Sequence, residues 1–187
     1  IKGVYRNALT KEIAEQFLAD EDSVDLCEFT VIEDDAARGL KKHKGLLDLS
    51  GLTELSEAAA ESLSRHDEFL DLNGLTQISE AAAESLGKHE GYQIYLNGLT
   101  SLSNVTAENL SKHGYSFETD KGEVYGDLFL CGLTELSDEA AESLSKHDGC
   151  LDLDGLMSLS DAASEGLSKH AGVLSLYGLT QLSAIAA

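Results

Sequence analysis

The sequence repeats one pattern eight times, and this repetition limits the fold more than any other feature. The rows follow in steps of 23, 23, 23, 24, 34, 23 and 23 residues and begin at Ile1, Val24, Leu47, Leu70, Ile94, Leu128, Leu151 and Leu174. In this alignment one column holds six glycines: Gly51, Gly74, Gly98, Gly132, Gly155 and Gly178. Another column holds all six histidines of the chain: His43, His66, His89, His113, His147 and His170. Such a period predicts a solenoid, in which each unit buries its apolar face only against its neighbours.

Within one row, the pattern changes from that of a strand to that of a helix. Leu47 and Leu49 alternate with polar residues, as expected of a strand with one buried face. Gly51 then predicts a turn. Ser56 is suited to cap a helix, and the segment 58–63 has high helix propensity. Each unit is therefore predicted to be a strand, a turn, a short helix and a loop.

This pattern resembles that of the leucine-rich-repeat family over essentially the whole chain. The resemblance rests on three motifs, each followed by a predicted helix: Leu47-x-Leu49-x-x-Leu52, Leu70-x-Leu72-x-x-Leu75 and Leu151-x-Leu153-x-x-Leu156. It implies an α/β leucine-rich-repeat solenoid, with a curved parallel sheet on the concave face, short helices on the convex face, and a function in protein–protein interaction. Apolar residues stand where the family usually has its ladder asparagine, so the chain is similar to an irregular bacterial-type variant.

The row pattern predicts a single solenoid over 1–187 with about eight units. Residues 1–23 are polar and cap-like, residues 115–126 form an insertion, and residues 174–187 form an incomplete last unit. Two interpretations of the apolar C-terminal end stay open. Either the parent chain continues beyond Ala187, or this end meets a second copy to form a homodimer.

The charge balance indicates which partners suit the chain. There are 34 acidic and 13 basic residues, a formal net charge of −21. This acidic excess disfavours nucleic acids and anionic membrane surfaces as partners, because both would repel the chain. Two interpretations stay open: the charge favours basic proteins or cations as partners, or it serves solubility alone. No apolar run is long enough for a transmembrane helix, so no membrane insertion is expected. The compartment is left open.

Aspartates follow one another in the outward-facing column of the predicted strands. Asp25, Asp48 and Asp71 are expected on adjacent strands, where like charges are unfavourable. Three interpretations stay open: a solvated acidic face, a site for a basic partner residue, or a calcium site. Asp152 occupies the same column further along.

Two aromatic residues interrupt this column. Tyr95 and Phe129 are predicted side by side on the concave face, where exposed aromatics favour contact with a partner over simple cover for the sheet. The insertion next to them contains Tyr115, Phe117 and Tyr125, and its composition predicts a β-hairpin. It is interpreted either as a further partner contact or as a tolerated surface excursion.

The histidine column is predicted to be structural. Helices pack too far apart for neighbouring imidazoles to share a metal readily, and a ring such as that of His66 can bond loop carbonyls instead. No phosphate loop, nucleophile elbow or HExxH motif is present, so neither an enzyme nor a cofactor is expected.

The sequence therefore predicts a scaffold that binds a protein or peptide on its concave face and insertion. The negative charge of the chain suits a basic partner. The candidate contact residues are Asp48, Asp71, Tyr95, Phe129, Asp152, Tyr115, Phe117 and Tyr125. The alternative is a structural module that assembles through its C-terminal end.

Overall fold

A computed structural model describes residues 7–114, 117–119, 122–124 and 126–180, and for 117–119 and 122–124 only the backbone. The α-helices are α1 (Lys11–Ala19), α2 (Asp34–Leu40), α3 (Glu57–Leu63), α4 (Glu80–Leu86), α5 (Asn104–Leu110), α6 (Asp138–Leu144) and α7 (Asp161–Leu167). The strands are β1 (Ala8–Leu9), β2 (Val31–Ile32), β3 (Leu46–Asp48), β4 (Phe69–Asp71), β5 (Gln93–Tyr95), β6 (Phe117–Thr119), β7 (Gly122–Val124), β8 (Asp127–Phe129), β9 (Leu151–Asp152) and β10 (Leu174–Ser175).

Six of the strands form one parallel sheet in the order β10-β9-β8-β5-β4-β3. Sequence neighbours are sheet neighbours except where β6 and β7 intervene between β5 and β8. Leu47 pairs with Leu70 and Leu70 with Ile94, so the repeat period is also the register of the sheet. A helix separates each strand of this sheet from the next one along the chain, which makes the fold α/β.

Leucines from the strands and small residues from the helices build one continuous core. Leu47 and Leu49 are fully buried, and they join Ala59, Ala60 and Leu63 of α3 in the same cluster. Each helix packs against the helix of the preceding row, from α1 on α2 through to α6 on α7. The alanines leave room for the helices to lie close against one face of the sheet.

The helices of the regular rows begin at a serine, as the sequence predicts for Ser56. The Ser56 side chain accepts a hydrogen bond from the backbone N–H of Ala59 at 3.0 Å. This bond satisfies one of the N–H groups that have no partner in the first turn of a helix. The same cap recurs at Ser79, Ser103, Ser137 and Ser160.

The glycine column lies where the backbones of adjacent rows approach one another. A Cβ atom on Gly98 would stand 2.1 Å from the carbonyl oxygen of Asn73 and 2.6 Å from that of Leu75. The turn expected from the sequence is present, but the glycine is required by this close approach. Among the described glycines, only Gly45 has a positive φ, of 96°.

The second row departs from the predicted pattern. A strand was expected at Val24, but residues Glu21–Ser23 and Leu26–Glu28 form 3₁₀ turns. The backbone N–H of Ser23 donates to the carbonyl of Asp20, which closes a turn where the other rows enter the sheet. Asp25 caps the second turn by accepting from the N–H of Cys27. The prediction that Asp25 lies on a strand beside Asp48 and Asp71 is therefore wrong, so the three aspartates considered for calcium do not lie on three adjacent strands.

Two short strands lie within the predicted insertion. β6 and β7 pair antiparallel, with Phe117 opposite Val124 and Thr119 opposite Gly122. The chain enters them after the loop that follows α5 and leaves them at Gly126, next to the start of β8. No helix of the described residues has the length and apolar character needed to cross a membrane.

Candidate binding face of the sheet

The helices cover one face of the six-stranded sheet, and the other face presents three columns of side chains. We call this second surface the open face. Its first column is Leu46, Phe69, Gln93, Asp127, Cys150 and Val173, and its middle column is Asp48, Asp71, Tyr95, Phe129, Asp152 and Ser175. Its third column, one residue beyond the inward leucines, is Ser50, Asn73, Asn97, Cys131, Asp154 and Tyr177.

The middle column places the two predicted aromatic residues side by side. Tyr95 pairs in register with Phe129, and their ring centroids are 4.5 Å apart with an interplanar angle of 16°. Both side chains are half-buried. A stacked aromatic pair that keeps part of its surface in solvent is typical of the anchor of a binding surface.

Carboxylates lie next to this pair on both sides. Asp71 is the neighbour of Tyr95 in register, and Asp152 is the neighbour of Phe129. Asp48 follows Asp71 on β3. Burial, and the repulsion of the Asp48 carboxylate, raise the pKa of Asp71 against the lowering effect of hydrogen bonds from Asn73. The predicted proximity of Asp48 and Asp71 is therefore present in the structure.

Neutral donors satisfy these carboxylates in part. Oδ1 of Asp48 accepts from the N–H of Ser50 at 3.0 Å, and Oδ1 of Asp71 accepts from the N–H of Asn73 at 2.9 Å. Such bonds to the residue two positions later fix the carboxylate on the end of its own strand. They do not neutralise its charge.

A hydrogen-bonded chain of side chains supports Tyr95 from the first column. The Tyr95 hydroxyl donates to Oε1 of Gln93. Nε2 of Gln93 donates in turn to Oδ2 of Asp127 at 2.9 Å, and Oδ1 of Asp127 accepts from the N–H of Cys150 at 3.0 Å. Burial, and the nearby carboxylates of Asp71 and Asp127, raise the pKa of Tyr95. The ring is thus held in a fixed position by neighbouring strands.

The third column contains a ladder that the sequence analysis missed. Oδ1 of Asn73 accepts from the N–H of Asn97, and Oδ1 of Asn97 accepts from the N–H of Cys131, both at 2.9 Å. Asp154 accepts in the same way from the N–H of Tyr177. These side chains join three pairs of neighbouring rows, and they stand directly after the strand. The recurrence of Asn and Asp in one column of the repeat alignment is the sequence feature that could have predicted this ladder.

The first column adds a second apolar region that sequence reasoning did not single out. Leu46 is 50% exposed and lies next to Phe69 in register. The ring of Phe69 packs at 5.7 Å from the ring of Tyr92. The alternation of inward-facing and outward-facing strand positions predicts the first column as well as the middle column. This apolar region was therefore predictable from the sequence.

The structure does not place all the predicted contact residues. It brings together Asp48, Asp71, Tyr95, Phe129 and Asp152. Tyr115 and Tyr125 lie outside the described residues, and Phe117 is described only by its backbone.

The histidine column forms a stack behind the sheet. Consecutive ring centroids from His43 to His170 are 6.1, 6.4, 5.3, 5.9 and 6.3 Å apart, and Phe17 lies 5.1 Å from His43 at one end. Nε2 of His66 is 3.0 Å from the carbonyl oxygen of Gly45, as the predicted role requires. Both ring nitrogens of His89 and His113, by contrast, lack a hydrogen-bond partner among the described residues.

Burial in this stack favours neutral imidazoles. It lowers the pKa of His89 to about 2 and that of His113 to about 4, and neighbouring rings add to the effect. Carbonyls of His89 and Asp127 lie near the His113 ring, outside hydrogen-bond geometry, and partly oppose this shift. In the described part of the chain, no group of three or more His, Cys, Asp or Glu side chains is arranged to hold a metal ion.

No protein-family model matches the chain, and the search of curated proteins finds no significant match.

Proposed function

We propose that the chain is a leucine-rich-repeat solenoid that binds a protein or peptide on the open face, which would be its concave side. The resemblance of the repeat motifs suggests the family. Support for the solenoid comes from the register of the strands, which follows the sequence repeat, and from the packing of each helix on the preceding one. Tyr115, Phe117 and Tyr125 of the insertion remain proposed contacts.

The observation that carries the binding function is the chemical composition of the open face. It combines the stacked pair of Tyr95 and Phe129 with carboxylates on both sides, and no lysine or arginine of the described residues lies in its three columns. Aromatic residues are enriched at the centres of interfaces, and charge of one sign selects partners of the other. A basic protein or peptide is therefore the proposed partner.

Binding is favoured over catalysis by the position of the histidines. Imidazoles are the usual acid–base groups near neutral pH. Five of the six are buried in the core, behind the leucines of the strands: His43, His66, His89, His113 and His147. The open-face carboxylates thus have no histidine partner for proton transfer.

Selection from a displayed library of random peptides tests this function. We expect peptides selected on the wild-type chain to bind at least tenfold more weakly to the double variant Tyr95→Ala/Phe129→Ala, because the aromatic anchor is gone. The control variant Val105→Ala/Met157→Ala removes two exposed apolar side chains elsewhere and should bind like wild type. Selected peptides that bind both variants equally would contradict the proposal.

A second candidate function is self-assembly through the last described row. Val173 is 67% exposed and Tyr177 is 92% exposed, and β10 is the end strand of the sheet. An exposed edge strand with apolar neighbours favours association. Light scattering separates the two functions: a dimer that Tyr177→Lys dissociates supports self-assembly, and a monomer at high concentration contradicts it.

A further inference from the structure

We propose, resting on the proposed binding function, that the open face holds two arginine side chains of an extended partner segment, spaced four residues apart. One guanidinium lies on the outer face of the Tyr95 ring above Asp71, and the other lies on the outer face of the Phe129 ring above Asp152. The aromatic pair is thus a ridge with a cation position on each side.

The geometry of the stack creates these two positions. The centroid distance of 4.5 Å between Tyr95 and Phe129 nearly equals the spacing of about 4.7–4.9 Å between neighbouring strands, and the rings are almost parallel. The rings therefore stand face to face across the gap between β5 and β8. Their outer faces turn towards β4 and β9.

The residues on β4 and β9 are shorter than the rings and are negatively charged. Asp71 faces the outer side of Tyr95, and Asp152 faces the outer side of Phe129. Beside each ring there is consequently a step with a carboxylate at its base. A planar guanidinium in such a step stacks on the ring and donates hydrogen bonds to the carboxylate, which a compact ammonium group does less well.

Among the described residues, the charge on the open face has no counterion. None of the five open-face carboxylates is in an ion pair with a described residue: Asp48, Asp71, Asp127, Asp152 and Asp154. Every described lysine and arginine lies on a helix or in the loops outside the sheet, as in the pairs Glu61–Arg65 and Glu84–Lys88. A cation from a partner would relieve the repulsion that Asp48 and Asp71 exert on each other.

The distance between the two steps sets the spacing in the partner. From Asp71 to Asp152 there are three strand intervals, or about 14 Å across the sheet. Four residues of an extended peptide span about 13–14 Å, and side chains four positions apart point to the same side. A segment that crosses the strands can therefore place one arginine in each step.

The probe for this proposal is a glycine–serine peptide with two arginines four residues apart. Its controls are the same peptide with citrulline in place of arginine, which keeps the shape without the charge, and an isomer with adjacent arginines. NMR titration at low salt measures the affinities of the wild-type chain. We expect the citrulline peptide to bind at least tenfold more weakly and the isomer about threefold to tenfold more weakly.

Variants of the chain then locate the two arginines. Asp71→Asn, Asp152→Asn and the double variant Tyr95→Leu/Phe129→Leu, which keeps apolar cover on the sheet, should each weaken the probe about fivefold or more. Asp161→Asn removes the same charge from the exposed start of α7 and should change the affinity less than twofold. Thermal melts of each variant confirm that it folds.

The outcomes separate this proposal from the general function. Equal binding of the arginine and citrulline peptides, or no loss in Asp71→Asn and Asp152→Asn, overturns the arginine positions. The binding function itself survives if library peptides still depend on Tyr95 and Phe129. Both proposals fail if neither kind of peptide depends on the two rings. A dimer that forms through the open face and is lost in Tyr95→Leu/Phe129→Leu also overturns the arginine positions.

Discussion

At the scale of single residues, the contact distance between rows decides which glycines can be replaced. At Gly98, a Cβ would overlap two carbonyl oxygens of the preceding row, because it would stand 2.1 and 2.6 Å from them. At Gly39 in α2, the nearest atom to such a Cβ is a leucine methyl group at 4.0 Å. The same change should therefore have opposite effects at these two positions.

We expect Gly98→Ala to lower the free energy of unfolding by about 3 kcal/mol or more, since backbone atoms must move apart. Gly39→Ala should raise it by about 0.5–1 kcal/mol, because alanine favours the helix and restricts the unfolded chain. Urea denaturation followed by circular dichroism measures both. Equal destabilisation by the two variants would contradict the close approach of the rows.

At the scale of elements, the helices were predictable from local signals. The serine cap recurs in each regular row, and the cap bonds are present from Ser56 to Ser160. An acidic first turn and an alanine-rich face accompany it in α3, α4, α6 and α7 but not in α5. These signals act over three or four residues, so they do not depend on the rest of the fold. Strand positions in the regular rows were equally readable from the alternation of leucines.

The second row was not predictable in the same way. Leu26 and Phe29 are buried like the leucines of later rows, so the apolar pattern is kept while the backbone turns. Whether a segment pairs as a strand depends on a partner segment, which the pattern of one row does not contain. This is why the expected position of Asp25 was wrong.

The candidate site was predictable as a set of columns but not as an arrangement of contacts. The alternation placed Tyr95 next to Phe129 and Asp48 next to Asp71. Their stacking distance, the support from Gln93 and the ladder through Asn73 depend on side-chain rotamers that three strands fix together. Periodicity predicts on which face of the sheet a side chain lies, but it does not predict the rotamer of that side chain.

At the scale of the whole molecule, the histidine stack makes stability depend on pH. The pKa values of about 2 for His89 and about 4 for His113 lie below the ordinary value of about 6.5 for histidine. Below about pH 6.5 the unfolded chain therefore binds more protons than the folded chain. The free energy of unfolding should fall as the pH drops, by about 2 kcal/mol for each of these two histidines at pH 5.

Urea denaturation at pH 7.5 and at pH 5 measures this effect. The variant His89→Gln should lose about 2 kcal/mol less than wild type between the two pH values, because its side chain does not titrate. Leu86→Ala creates a cavity in the same row and should keep the wild-type pH dependence despite its lower stability. Parallel curves for wild type and His89→Gln would contradict a role for this imidazole.

The middle column of the open face holds Asp, Asp, Tyr, Phe, Asp and Ser on successive strands, yet β3, β4, β5, β8, β9 and β10 keep one register. The residue type at this position therefore does not decide how the backbone pairs. In evolutionary terms, substitutions in this column can alter the charge and shape of the surface while the leucines, alanines and glycines of the row stay the same. Duplication of a row would widen the surface by one strand and supply a further position for selection to act on.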